Sequence, residues 1–328
     1  MPKDPVTRND VAEYAGVSAA VVSYVVNAGP RAVAPETRDR VLEAIRALGY
    51  RPNATARALR TGTTRTLGLI TPDGGNPLFA ELAKAIDKAA AERGYVVLQT
   101  SADGDPETER AKVAELLARR VSGLLLVAPS LPPDLGEPQG TAEGVVPVVA
   151  INREVGGVSS VRPAYREGAR SGVEHLMGHG HRRIGLIVGG PEGSERELGY
   201  RDALQSRGLV GGPIVRAAFS REGGFDAMRQ LLAATPRPAA VFASSDLQAV
   251  GALKAIHEAG LRIPEDVALV AFDGTAETEF SWPPMTVVRQ PLERMAGEAV
   301  RRLVEGESKT SAITFPTELI KRRSCGCP

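Results

Sequence analysis

The chain has 328 residues, is 43% hydrophobic and 24% charged, and carries a formal net charge of +1. That length exceeds one ordinary core and accommodates two or three domains. No apolar run approaches the roughly 20 residues that a membrane-spanning helix needs, and the two cysteines, Cys325 and Cys327, sit too close together to staple a body, so neither a helical anchor nor a disulfide scaffold is expected.

The N-terminus, Met1 to Pro5, lacks the apolar core of a signal peptide, and the expected compartment is the cytoplasm. Charge is uneven. Residues 1–66 hold ten Lys/Arg against six Asp/Glu, a net +4, whereas the remainder holds thirty against thirty-three, a net −3. A basic head on a mildly acidic body suits a polyanionic partner for the head.

In chain order, residues 7–48 are expected to be all helical. Thr7 caps a first helix carrying Val11, Ala12 and Tyr14, and Ala15-Gly16-Val17 breaks it. Ser18 caps a second helix that runs through Val25 and Val26 and ends at Asn27-Ala28-Gly29-Pro30. Pro35 suits a first helical turn, after which Val41, Leu42, Ile45 and Leu48 recur at helical spacing until Gly49. Helix, glycine-containing turn and capped helix form the helix-turn-helix arrangement, whose second helix presents its N-terminal residues to base edges. A plain three-helix domain without a ligand fits the same pattern. Residues 54–60 carry too few helix-prone residues for a stable isolated helix.

From Arg65 onward strand-length apolar runs alternate with amphipathic helices. Strands are expected at 67–71, 95–100, 123–128, 147–151, 184–189, 239–244 and 267–273, with helices such as 78–93, 106–119, 166–178, 195–207 and 246–260. This βαβ repetition implies two doubly wound parallel-sheet lobes covered on both faces. Residues 131–144, rich in Pro and Gly, read as a surface loop. In such sheets ligands sit beyond the carboxyl ends of the strands. Thr71, Asp73, Asn152, Arg153, Phe219, Ser245, Asp246, Phe272 and Asp273 occupy those ends, Phe79 opens the first body helix, and Arg196 starts another.

No catalytic residues are expected. The glycine pairs Gly74-Gly75 and Gly189-Gly190 match neither a dinucleotide loop nor a P-loop, and no Gly-x-Ser-x-Gly elbow occurs. His175, His179 and His181 gather near one helix end, where a zinc site is conceivable but no carboxylate or cysteine completes it, and histidines there more often complement the helix dipole. No metal and no cofactor are expected. The Cys-x-Cys end reads as two free thiols on a frayed terminus.

An ordered set of segments resembles the lactose-repressor (LacI/GalR) family. In the head it comprises Val6-Thr7 through Val25-Val26-Asn27, Val33, Thr37-Arg38, Gly49-Tyr50-Arg51-Pro52-Asn53 and Ala56-Arg57-Ala58-Leu59. In the body it includes residues 65–70, 120–126, 173–176, 180–184, 244–246 and 284–291. The resemblance implies a helix-turn-helix DNA-binding domain over 1–51, a hinge helix and linker over 52–65, and a two-lobed, type I periplasmic-binding-protein-like domain over 66–328. Lobe 1 is expected at about 66–162 plus 290–324 and lobe 2 at about 163–289.

It further implies a homodimeric repressor that reads a near-palindromic double-stranded operator and responds to a small effector, expected to be a sugar. DNA contacts then fall to Thr7, Ser18, Ala19, Ala20, Val21, Ser23, Tyr24 and Asn27, and in the hinge to Asn53, Ala56 and Leu59, with Leu59 as the minor-groove wedge. Effector contacts fall by the resemblance to Phe79, Arg196, Ser245 and Asp273, and the strand-end rule adds Arg153 and Phe219.

Three departures mark this chain. Ala19, Ala20 and Tyr24 stand where the resemblance places large polar base readers in the lactose repressor, so the operator is expected to differ and more specificity to come from Ser23, Tyr24, Asn27, the hinge and DNA shape. Asn152-Arg153 replaces the usual Asp-Arg pair, and residues 161–166 lack the common Asp and Asn. A cytoplasmic solute-binding protein with a head that does not bind DNA is the alternative.

Overall fold

The structure, a computed structural model, describes residues 6–27, 31–51, 63–127, 140–141, 144–154, 157–306 and 310–328. It divides into two compact units, Met1–Thr64 and Arg65–Pro328.

The first unit holds α1 (Arg8–Ala15), α2 (Ala19–Asn27) and α3 (Pro35–Leu48). Thr7 and Asp10 form a reciprocal capping box: the Thr7 hydroxyl accepts from the Asp10 amide, and the Asp10 carboxylate accepts from the Thr7 amide at 2.7 Å. Gly16 ends α1 at φ 64°, a left-handed conformation that suits glycine and turns the chain into α2. Val11, Val22, Val41 and Ala44 are fully buried and tie the three helices together.

The second unit contains two parallel sheets. The first carries β1 (Thr66–Thr71), β2 (Val96–Ser101), β3 (Gly123–Leu126), β6 (Val148–Ile151), β7 (Ser159–Pro163) and β13 (Ala312–Phe315). Their order is β13-β7-β6-β3-β1-β2. A two-residue ribbon, β4 (Gly140–Thr141) with β5 (Gly144–Val145), precedes β6. Helices α4 (Pro77–Ala91), α5 (Pro106–Ala118) and α10 (Leu292–Glu305) cover this sheet, and its core joins Leu69, Leu82, Leu125, Ile151 and Met295.

The second sheet carries β8 (Ile184–Val188), β9 (Ile214–Arg216), β10 (Ala240–Ala243), β11 (Ala268–Asp273), β12 (Thr286–Arg289) and β14 (Glu318–Ile320), in the order β14-β12-β11-β10-β8-β9. Within this sheet the described strands pair in parallel except β12 with β14, which are antiparallel. Helices α6 (Tyr165–Gly178) and α7 (Glu195–Gln205) pack on one face, and α8 (Arg221–Ala233) and α9 (Asp246–Glu258) on the other. The chain passes between the sheets three times, at Pro163–Tyr165, Gln290–Pro291 and Pro316–Thr317.

Two expectations change. Residues 318–324 belong to the second sheet, not to lobe 1. The third crossing returns the chain there, β14 pairs with the edge of β12, and Ser324 is buried between the Thr286 amide, which it accepts at 2.9 Å, and the Leu269 carbonyl, to which it donates at 2.6 Å. The C-terminus is also not frayed: Cys325 ends a 3-10 turn and is 1% exposed. In addition, β7, β9, β12, β13 and β14 were not among the expected strands, being only three to five residues long.

Helices α8 and α9 touch through glycine. A Cβ placed on Gly251 would lie 1.9 Å from the Arg221 carbonyl oxygen, and one on Gly224 would lie 2.1 Å from that of Gln248. Gly251→Ala is therefore expected to destabilise the body by about 3 kcal/mol, because a backbone carbonyl cannot rotate away. Gly297→Ala, which meets open space in α10, should stabilise it by about 0.5–1 kcal/mol. Calorimetric melting of both variants checks this; equal shifts of the same sign contradict the packing.

Candidate functional site

On α2, Val22 anchors the core, with Ala19, Val21, Val25 and Val26 packed partly against it. Ala19 and Val21, expected to contact DNA, thus serve the head's own core as well. Successive helical residues turn by about 100°, which places Ala20 and Tyr24 on the side opposite Val22. Ala20 is exposed, and Ser23 and Tyr24 are half-buried. Ser18 is exposed at the helix start, its hydroxyl accepting from the Val21 amide at 3.4 Å, and Thr7 is likewise exposed within its capping box. Two helix N-termini with solvent-facing caps offer backbone N–H groups to an anion. Asn27 is the last residue of α2. Asn53, Ala56 and Leu59 lie outside the described residues.

In the body, Arg196, Phe219 and Asp273 converge. Asp273 closes β11 with φ 119° and is 4% exposed. Its Oδ1 accepts from Arg196 at 3.2 Å and from the Gln290 side-chain amide at 2.7 Å, while the Gln290 main-chain amide donates to the Asp273 carbonyl at 2.9 Å. The Arg196 guanidinium lies 4.3 Å from the Tyr165 ring centroid, 4.6 Å from that of Phe272 and 5.7 Å from that of Phe219. Phe219 is 40% exposed and its ring approaches Gly189 so closely that a Cβ there would sit 2.5 Å away.

Behind this group Asp246 is buried, its Oδ2 accepting from the Thr275 amide and hydroxyl at 2.6 and 2.8 Å. Three buried polar atoms of this group have no partner among the described residues, Arg196 Nε, Asp246 Oδ1 and Gln290 Oε1, and the same holds for Asn152 Oδ1 just after β6 of the first sheet. Burial is what pushes the Asp273 carboxyl up to about 6, with Arg196 opposing it. Burial and then the charge of Asp273 hold Asp246 well above the carboxylate range. Burial also raises the Tyr165 hydroxyl to about 12.

The remaining expected residues take other places. Ser245 caps α9, its hydroxyl accepting from the Gln248 amide at 3.3 Å. Phe79 packs partly buried on the core of the first sheet. Arg153 is half-buried and its charge opposes the upward shift that burial gives Glu109, whose carboxyl sits at about 7. Tyr165 and Gln290 were missed as members of the group. Gln290 follows strand β12 directly, so the strand-end rule would have found it had that strand been recognised. Two contacts bridge the lobes nearby: Arg162 with Glu195 at 2.5 Å, and the Ala276 amide with Glu81 at 2.9 Å.

A folded-state value above the ordinary 3.8 means that the native chain holds the Asp273 proton more tightly than the unfolded chain. Its contribution to stability is full below 3.8 and is lost as pH rises through about 6. The stability of Asp273→Asn relative to the parent should therefore improve as pH rises across that window, measured by denaturant unfolding at several pH values. A difference that is constant or shrinks contradicts the assignment.

Residues 7–53 match the family model of bacterial regulatory proteins, lacI family, and residues 173–325 that of a periplasmic binding protein-like domain. The chain is similar to the HTH-type transcriptional repressor PurR of Pectobacterium atrosepticum, 34% identical over 333 residues that cover 97% of this chain and 96% of that one. Among solved structures it is similar to the Lac repressor dimer bound to operator and the anti-inducer ONPF, with TM-score 0.85 and 30% identity over 98% of this chain and 99% of that one. It is also similar to the transcriptional regulator CelR–cellobiose complex, with TM-score 0.71 and 33% identity over 97% and 99%. No helix among the described residues is long and apolar enough to cross a membrane. A helix-turn-helix head, a two-lobed sensor body and likeness over nearly the full length place this chain in the lacI family of bacterial regulatory proteins, as a DNA-binding transcriptional regulator and not an enzyme.

Proposed function

We propose that the chain is a cytoplasmic homodimeric repressor whose two heads read a near-palindromic operator, and whose operator affinity is set by a small polar ligand between the lobes. The observation that carries the ligand site is the buried Arg196–Asp273 pair, surrounded by aromatic rings and polar atoms without partners. An unpaired buried polar group costs about 1–3 kcal/mol, so a ligand that supplies the missing donors and acceptors is favoured there. Paired sugar hydroxyls fit that demand, and the likeness to a cellobiose-bound regulator supports a sugar. The exposed face of Phe219 supports a second reading, a planar nucleobase stacked on the ring.

On the DNA side, Thr7 and Ser18 hold phosphates, and Ala20, Ser23, Tyr24 and Asn27 line the groove with Ala19 and Val21 behind them. Asn53, Ala56 and Leu59 belong to a hinge that enters the minor groove, with Leu59 as the wedge between base steps. The lobe around β1 continues directly from that hinge at Arg65. A ligand that prefers one lobe arrangement changes the separation of the two hinges in the dimer and so loosens their grip, which favours induction. The family likeness extends the proposed effector contacts to Phe79 and Ser245, and the strand-end rule to Arg153; all three stand apart from the Arg196–Asp273 group.

The test is a thermal-shift screen of sugars and purine bases on the full chain, then operator titration with the ligand found. Wild-type protein should lose operator affinity by about 5–150-fold when ligand is present. Arg196→Ala and Asp273→Ala should bind operator nearly as the parent does without ligand and no longer respond to it. If both variants respond like the parent, the ligand binds elsewhere.

A further inference from the structure

The last helical turn of α6 and the C-terminus meet although they are some 150 residues apart in sequence. His175 and His179, four residues apart, share one face of the helix end. Their ring centroids are 4.8 Å apart and nearly perpendicular, at 87°. Cys325 and Cys327 flank Gly326, whose φ of 99° few other residues adopt. That turn aims both sulfurs at the histidines. Cys325 Sγ lies 3.2 Å from His175 Nε2, and Cys327 Sγ lies 3.5 Å from the same atom and 3.4 Å from His179 Nε2. All four ligand atoms lie within 4.8 Å of one another.

We propose that His175, His179, Cys325 and Cys327 form a structural zinc site. Zinc–sulfur and zinc–nitrogen bonds of about 2.3 and 2.0–2.1 Å at tetrahedral angles separate sulfur from nitrogen by about 3.6 Å. The three sulfur–nitrogen distances need to relax by only a few tenths of an ångström to meet that geometry. The Cys325 thiol also reaches the Arg322 carbonyl at 3.3 Å, yet both sulfurs still crowd Nε2 of His175 at 3.2 and 3.5 Å, a convergence that a shared cation explains directly. A divalent cation at the centre satisfies both sulfurs and both imidazoles at once. Two thiolates also neutralise it, which suits a site in which Cys325 is buried and His175 and Cys327 are partly so.

A tetrahedral set of two sulfurs and two nitrogens selects zinc over the harder divalent ions. An outer-shell donor is at hand: the Thr286 hydroxyl lies 3.0 Å from Cys325 Sγ and 2.9 Å from the Arg322 carbonyl, so its one proton can turn from the carbonyl to a thiolate. Four protein ligands leave no open position, so the role is structural. The ion would fasten the terminus, with β14 and its 3-10 turn, to the helix whose other end carries Tyr165 against Arg196. Both cysteines and both histidines had been read from sequence, but as separate features.

The experiment uses the full chain, reduced and stripped of metal. Titration with Zn2+ should give one ion per chain, and Co2+ should give the thiolate charge-transfer absorption and intense visible bands of a tetrahedral site. Zinc should also raise the melting midpoint. Cys327→Ser and His179→Gln, at the more exposed positions, should each weaken zinc binding by roughly 100-fold or more, above the cost of losing an outer-shell partner, and should lose the zinc-dependent rise in melting. His181→Gln should match the parent. Failure of the reduced parent to bind zinc, a weak octahedral cobalt spectrum, or variants that hold zinc as tightly as the parent would overturn the site.

Discussion

A carboxylate buried at the end of a parallel strand must be compensated or protonated, and the body of this regulator is arranged around how Asp273 meets that demand. Arg196 supplies the charge from the start of α7, and Gln290 supplies a neutral donor from the crossing between β12 and α10. Arg196 is in turn held by Tyr165, which lies at the crossing between β7 and α6. Two of the three strands that join the lobes thus touch the same ion pair. A ligand that rearranges the pair acts on the joints themselves, so the coupling between pocket and lobe angle needs no long route through the protein.

The three crossings limit how the lobes can move under the proposed ligand control. Each lobe has its own closely packed core, built around β1, β3 and β6 in one and β8, β10 and β11 in the other. Such cores move as bodies, and short connections containing Pro163, Pro291 and Pro316 concentrate the change at a few positions. Single polar contacts, Arg162 with Glu195 and Ala276 with Glu81, join the lobes beside the cleft. The Arg162–Glu195 pair is partly buried, with side chains 24% and 40% exposed, and partly solvated pairs of this kind are worth about 1 kcal/mol, no more than the about 1–3 kcal/mol typical of an allosteric coupling.

Much of this was legible in the sequence where local chemistry determines structure. Thr7, Gly16 and Gly49 marked helix boundaries because caps and left-handed turns have few residue choices. The long apolar strands announced themselves, and the strand-end rule found Arg196's partner Asp273 and its neighbours Phe219 and Phe272. What escaped was non-local. β14 spans three residues and is recognisable only by its antiparallel pairing with β12, so the third crossing and the true allegiance of residues 318–324 were hidden. Tyr165 stood just before the expected 166–178 helix with nothing local to mark it, because its partner Arg196 lies thirty-one positions away on another helix. The histidine and cysteine pairs each looked incomplete because topology alone brings them together.

The central claim is that ligand and operator act on one lobe equilibrium. Thermodynamic linkage then requires that each change the affinity of the other by the same factor. The direct measurement is calorimetric titration of the identified ligand into the full-length protein, once alone and once saturated with operator duplex. For an inducer, operator should weaken ligand binding by the same factor by which ligand weakens operator binding. Equal ligand affinities in the two titrations would contradict the account, since a ligand indifferent to operator cannot shift the state that the operator selects.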